Sequence, residues 1–125
     1  SGLLTEIHAP DPQQEAAREL TRLRQTAQEN LVRIHHQLLK FLTRHGYIYT
    51  DGQHWTAKHF RWLRSLEFEQ PLLGEVFDNY FTELQHCMQR LASLNRQLEQ
   101  LAQSEPYKEV VGLLSIVVYQ KTDNC

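Results

Sequence analysis

The side chains of this 125-residue chain that could perform catalysis or bind a ligand are mainly its seven histidines, fifteen carboxylates and thirteen lysines and arginines. The histidines lack metal-ligand spacing. His35 and His36 are adjacent and would point about 100° apart on a helix, and His86 cannot share a helix face with Cys87. No His-Glu-x-x-His or Cys-x-x-Cys motif accompanies them. We therefore predict no metal site and interpret the histidines as surface or partly packed residues.

The carboxylates are scattered singly along the chain, as on solvated helix faces, and nothing specifies the convergent pair that acid/base chemistry would need. The five glycines are isolated, so the sequence contains no glycine-rich phosphate loop and no nucleophile elbow. Cys87 and Cys125 form no disulfide framework and are predicted to be free thiols. We predict no catalytic residue and no bound cofactor in this chain.

Basic side chains form a clearer pattern. On a helix that turns by about 100° per residue, five of them fall within about 40° of one line, opposite an apolar stripe and with Glu29 as the one acid among them. They are Arg18, Arg22, Arg33, Lys40 and Arg44. Such a ridge can contact phosphates or can be a solvated face, and the sequence leaves both interpretations open.

A second basic group follows, in which cations alternate with aromatic residues that could stack on unpaired bases: Trp55, Lys58, Phe60, Arg61, Trp62 and Arg64. The predicted nucleic-acid-binding set is therefore Arg22, Arg33, Lys40, Arg44, Lys58, Arg61 and Arg64. A formal net charge of −2 argues against a dedicated nucleic-acid module. However, residues 1–65 carry nine Lys or Arg against six Asp or Glu, and residues 66–125 carry four against nine, so the two halves would face different partners or each other.

Helices must position these side chains. Asp11 before Pro12 predicts a helix start, and Gly46 predicts the end of the same helix after about 33 residues. Its apolar stripe advances by three or four residues through Leu20, Leu23, Ala27, Leu31, Ile34, Leu38 and Phe41. The Asp51-Gly52 pair predicts a loop over residues 47–53. Thr56 then caps a short helix that ends near Leu66.

A third helix follows the break at residues 68–71, and its apolar positions alternate in spacing between four and three residues. They are Leu73, Phe77, Tyr80, Leu84, Cys87, Leu91, Leu94, Leu98 and Leu101. This is a heptad seam. Its aromatic first half is predicted to pack within the chain. The leucine end is predicted to pair with a second chain in a homo-oligomer, through Leu84, Leu91, Leu94, Leu98 and Leu101.

Residues 104–106 are predicted to end that helix, and a hydrophobic run over residues 110–119 follows. Its β-branched residues favour a strand, whereas Leu113 and Leu114 would also suit a helix, so both remain open. No run approaches the roughly 20 apolar residues that a membrane span needs. We expect a soluble, cytoplasmic protein with no membrane partner.

Two motifs carry a family resemblance. Phe-Leu-x-Arg-His-Gly occupies residues 41–46, and Trp-Thr-x-x-His-x-x-Trp-Leu occupies residues 55–63. This pair resembles the middle region of DEDD-type insertion-sequence transposases of the IS-one-hundred-and-ten class, which are guided by a bridge RNA. The opening segment, with His-Ala-Pro-Asp-Pro at residues 8–12, is similar to the exit from that family's RuvC-like domain. The similarity extends from residue 1 to about residue 114.

The resemblance implies a parent enzyme with an N-terminal RuvC-like domain, whose four acidic residues bind magnesium, and a C-terminal domain that carries a nucleophilic serine. Neither catalytic part maps onto this chain, and Ser115 does not match the nucleophile. In the family, the middle region is expected to form a coiled coil that assembles the oligomer and lies against guide RNA and DNA. From Ser115 to Cys125 the sequence departs from the family pattern.

We therefore expect an all-α fold: a long antiparallel helical hairpin or coiled coil with a short helix at its tip. Residues 1–11 would be the linker from the RuvC-like domain, residues 12–105 the helical coiled-coil region, and residues 106–125 a truncated or altered start of the C-terminal domain. The expected function is a non-catalytic part of a transposase that serves as an oligomerisation scaffold and contacts guide RNA or DNA. The alternative is a free-standing protein-protein interaction module without nucleic-acid binding.

Overall fold

The computed structural model describes residues 11–104, and it confirms the all-α fold over that range. Helix α1 spans Pro12–Arg44, α2 spans Ala57–Ser65 and α3 spans Pro71–Ala102. No strand occurs between residues 11 and 104. The predicted linker at residues 1–11 falls almost wholly outside this range, and the tail at residues 106–125 falls entirely outside it.

The helix ends follow the capping chemistry predicted from the sequence. Asp11 caps α1 because its Oδ1 accepts a hydrogen bond from the backbone N–H of Gln14 at 2.7 Å. At the other end, Gly46 has a φ of +83°. Its N–H donates to the carbonyl of Thr43, and the N–H of Tyr47 donates to the carbonyl of Leu42. Together these bonds form a Schellman motif, and α1 therefore ends at the position that was predicted from Gly46.

The caps of α2 and α3 are side-chain oxygens. Thr56 Oγ1 accepts from the N–H of His59 at 3.2 Å, as the sequence predicted. At the start of α3, Gln70 Oε1 accepts from the N–H of Leu72 at 2.8 Å, and Pro71 occupies the first helical position.

The chain divides into two compact units. Of the described residues, the first unit contains 11–32 and 87–104, and the second contains 33–86.

In the first unit, α1 and α3 run antiparallel: residues further along α1 contact residues that come earlier on α3. Ala17 packs against Leu98 in one cluster, and Ala27 packs against Leu91 and Leu94 in another. Leu20 contacts both clusters. Small alanines on α1 face the leucines of α3, as in a closely packed coiled coil.

The leucine end of α3 therefore faces α1 of the same chain. Leu84, Leu91, Leu94 and Leu98 are all buried, and Leu101 is half-buried. The heptad pattern predicted a second chain as the partner of these residues. In the structure, the N-terminal half of α1 covers Leu91, Leu94, Leu98 and Leu101 instead. Oligomerisation through them stays a prediction, and a helix of a second chain could reach them only in exchange for α1.

One position of the predicted α1 stripe is wrong. Leu23 is 40% exposed, whereas Arg24 is 1% exposed and lies in its place. The heptad explains the correction: after the step of three residues from Ala17 to Leu20, the seam needs a step of four, which reaches Arg24. Selecting the stripe by hydrophobicity alone passed over this residue.

The second unit has an aromatic core. The ring of Phe41 on α1 lies 5.1 Å from that of Tyr80 on α3 and 6.2 Å from that of Phe68. Phe68 also contacts Phe77 at 5.2 Å and Tyr47 at 4.8 Å, measured between ring centroids. The segment between α2 and α3 is therefore held by aromatic packing, as expected for the aromatic half of the seam.

Two glycines offer a test of this backbone. At Gly46 a Cβ would meet nothing within 4 Å, so Gly46→Ala imposes only the cost of a left-handed residue, about 1 kcal/mol of unfolding free energy. At Gly74, inside α3, a Cβ would make ordinary contact with Phe68 at 3.8 Å. Gly74→Ala should therefore stabilise by about 0.5–1 kcal/mol. Urea unfolding followed by circular dichroism measures the change in unfolding free energy of each variant. Two changes of the same sign would contradict this description of the two glycines.

Candidate nucleic-acid interface

Six of the seven predicted nucleic-acid-binding residues belong to the second unit. Arg33, Lys40 and Arg44 lie on α1, and their helical positions fall within about 40° of one another. All three side chains are exposed, since the opposite face of α1 carries the buried Ile34, Leu38 and Phe41. Burial of the apolar stripe thus turns this row of cations to the surface.

Helix α2 carries the other three cations, Lys58, Arg61 and Arg64, all exposed. They follow one another at intervals of three residues and so share one broad face. The N-cap bond at Thr56 and the buried Leu63 fix the orientation of this short helix. Within the second unit, the structure therefore presents two exposed rows of cations.

Two of the α2 cations have partners within the chain. The guanidinium of Arg64 lies 5.7 Å from the ring centroids of both Phe60 and Phe81, which is cation-π distance. Lys58 Nζ donates to the carbonyl of Asp51 at 3.3 Å. These contacts restrain the side chains without neutralising their charge, so both can still attract phosphate.

Arg22, the seventh predicted residue, lies in the first unit, where it forms ion pairs with Glu15 at 3.4 Å and with Glu19. All three side chains are largely exposed, so the pairs contribute little to stability. Even so, a phosphate would have to compete with two carboxylates for this guanidinium. Arg22 is therefore less available to phosphate than its exposure suggests.

The aromatic residues between the α2 cations pack within the chain. Trp62 stands 5.3 Å from Tyr49, and Trp55 stacks on His35 at 3.8 Å with an interplanar angle of 11°. Trp55 and Trp62 are only half-buried, so each ring keeps some exposed surface. The predicted role in base stacking stays a prediction, and the structure gives these rings a packing role first.

His59 organises the segment that leads into α2, a role that was not predicted from the sequence. It is fully buried, and its ring meets five others at centroid distances of 4.8 to 6.3 Å: Tyr49, His54, Trp55, Phe60 and Trp62. Its Nδ1 accepts a hydrogen bond from the backbone N–H of Trp55 at 2.8 Å. Trp55 itself has a φ of +67°, a left-handed conformation that this bond helps to hold.

An Nδ1 that accepts a hydrogen bond must be unprotonated, so the neutral ring carries its proton on Nε2. Burial lowers the pKa of His59 to about 4, and the neighbouring His54 contributes to that shift. Burial also lowers the pKa of His35 to about 4, aided by His36 and His59. Both rings are neutral near pH 7. For His59 the available signal was its place between Trp55 and Trp62, whereas no tryptophan lies near His35 in the sequence.

No group of three or more histidines, cysteines or carboxylates within residues 11–104 is arranged to hold a metal ion. Over the same range, no helix combines the length and apolar content needed to cross a membrane.

The lowered pKa values predict that stability falls with acidification. Below pH 6.5, the usual pKa of histidine, the side chains of His35 and His59 become protonated in the unfolded chain but stay neutral in the folded one. The free energy of unfolding therefore falls from about pH 6.5 to pH 4 and then levels off. Thermal unfolding between pH 7 and pH 4 should show this fall. His59→Gln should flatten the pH dependence, whereas His86→Gln, on an exposed side chain of α3, serves as the matched control. An undiminished fall in His59→Gln would contradict the assignment.

Two curated relatives resemble this chain. The transposase for insertion sequence element IS1533 of Leptospira borgpetersenii is 32% identical over 106 residues, which cover 84% of this chain and 31% of the relative. The protein named "Putative transposase y4qE" of Sinorhizobium fredii is 38% identical over 71 residues, covering 57% of this chain and 18% of the relative.

No protein-family model and no solved structure matches the chain. The chain spans about a third of the length of the first relative and less than a fifth of the second. The predicted resemblance to transposases is confirmed: this chain is similar to one region of a protein named as an insertion-sequence transposase and of a second named as a putative transposase.

Proposed function

We propose that this chain is the helical scaffold region of an insertion-sequence transposase and that its second unit contacts the backbone of guide RNA or DNA. One observation carries the proposal: Arg33, Lys40, Arg44, Lys58, Arg61 and Arg64 are all exposed within one compact unit. The similarity to named transposases supplies the context in which nucleic acid is the expected partner.

Phosphate contact is the chemistry that suits this surface best. Arginine and lysine on rigid helices can contact successive phosphates, and such contacts position a protein without reading base sequence. The three cations on α1 belong to a helix whose opposite face is buried, and Arg64 is restrained by two rings. Binding through Arg64 therefore costs less side-chain entropy than binding through an unrestrained surface lysine. In this proposal the region positions nucleic acid, and other parts of the transposase perform the chemistry.

Charge reversal tests this proposal. Arg33→Glu with Lys40→Glu should weaken binding of a labelled RNA hairpin and of duplex DNA by at least about tenfold, measured by fluorescence anisotropy. The slope of log affinity against log salt should fall by about two, one for each phosphate that is no longer neutralised.

Arg90→Glu with Arg96→Glu is the matched control, because it makes the same change of charge on exposed positions of α3 in the first unit. An equal loss of affinity in both double variants would show that only net charge matters. Unchanged binding in the first variant would contradict the proposed surface. If the wild-type chain binds neither RNA nor DNA, the interaction module without nucleic acid becomes the better hypothesis.

Self-association is the second proposed role, and the heptad spacing of α3 supports it. Because α1 covers Leu91, Leu94 and Leu98, two chains could share the seam by exchanging α1, which would reproduce the same contacts between chains. Helix exchange predicts a dimer whose fraction rises with concentration in sedimentation velocity. Finding only monomer between 1 and about 100 μM, where interfaces of this kind are populated, would rule out this role.

A further inference from the structure

The first unit contains a polar contact within its hydrophobic helix pairing. Arg24 on α1 is 1% exposed, and its Nε donates to Oδ1 of Asn95 on α3 at 2.8 Å. Along the helices, this bond lies between the Ala17–Leu98 cluster and the cluster of Ala27 with Leu91 and Leu94. Arg24 is the one lysine, arginine or carboxylate residue buried within residues 11–104.

A buried guanidinium is costly unless its donors are satisfied, and hydrophobic residues of similar size often serve stability equally well. Buried polar groups in coiled coils are best known for selecting which helices pair, and in which register. Arg24 occupies a seam position, since it continues the alternation from Ala17 and Leu20, and Asn95 flanks the seam of α3 next to Leu94. The contact is thus placed where it can discriminate between partner helices.

We propose that Arg24 and Asn95 form a specificity pair that makes α1, in a single register, the matching partner of the leucine seam on α3. Pairing of α3 with a second α3 would leave Asn95, at the edge of the seam, without the guanidinium. Pairing of α1 with a second α1 would bring two Arg24 charges together.

Register is selected by the same bond. A slip of one heptad would move Arg24 from Asn95 to Met88 or to Ala102. A thioether is a weak hydrogen-bond acceptor and an alanine side chain is none, so both slipped registers would leave the guanidinium without that bond. The leucines of α3 alone repeat every heptad, as Leu84, Leu91 and Leu98 do, and would tolerate the slip better. This inference is independent of nucleic-acid binding, and it applies equally whether α1 comes from the same chain or from a second one.

Cross-linking in the full chain measures register directly. On a Cys87→Ser, Cys125→Ser background, Ala17→Cys with Leu98→Cys reports the observed register. Ala17→Cys with Leu91→Cys reports a slip of one heptad. With Arg24 and Asn95 intact, disulfide should form in the first pair and hardly at all in the second.

Arg24→Leu with Asn95→Leu should raise cross-linking of the second pair, or the fraction of higher-mass species in sedimentation velocity, by at least about tenfold. Gln25→Leu with Gln97→Leu adds the same leucines at exposed positions and should leave both readouts unchanged. An unchanged cross-linking ratio together with unchanged mass in the Arg24/Asn95 variant would overturn the proposal. Failure of that variant to fold would also overturn it, because the pair would then supply stability rather than choice of partner.

Discussion

The antiparallel packing of α1 against α3 is the constraint on which the first unit depends. A helix of this length with alternating polar and apolar faces gains most of its stability from burying one face, rather than from intrinsic propensity. Ala17 and Ala27 let the leucines of α3 approach α1 closely, and Leu20 contacts both clusters. Most of the remaining positions of both helices are polar. In this unit the exposed face of α1 mixes Arg18 and Arg22 with Glu19 and Glu29, whereas that of α3 between Thr82 and Gln103 is rich in glutamine.

The second unit depends on aromatic rings rather than leucines. Phe41, Phe68 and Phe77 fill its interior on one side, and His59 joins the loop to α2 on the other. A histidine suits this place because a single atom, Nδ1, accepts the backbone N–H that a left-handed Trp55 presents. Phenylalanine would fill the space without accepting that bond. The motif that carries the transposase resemblance, residues 55–63, is thus also the motif that builds the start of α2.

The exposed cations follow from these two packing schemes. The apolar stripe of α1 fixes where Arg33, Lys40 and Arg44 emerge, and the cap at Thr56 with the buried Leu63 fixes α2. Some side chains that the sequence pattern assigned to this surface have partners within the chain: Arg22 is paired with two carboxylates, and Trp55 is stacked on His35. What remains is a surface suited to phosphates more than to bases, because its cations are exposed while its rings are partly covered.

The sequence by itself determined the helices and their predicted caps, because these depend on contacts within a few residues: Asp11 with Gln14, Thr56 with His59, and Gly46 with its own φ. It also identified the transposase resemblance. Only the tertiary structure decided which helix covers the leucine seam, since a heptad pattern specifies a partner surface but not which chain supplies it. Tertiary packing likewise decided the burial of Arg24 and of His59. A charged or titratable side chain is expected at the surface unless tertiary packing buries it, as the bond to Asn95, 71 residues away, does for Arg24 and as the surrounding aromatic rings do for His59.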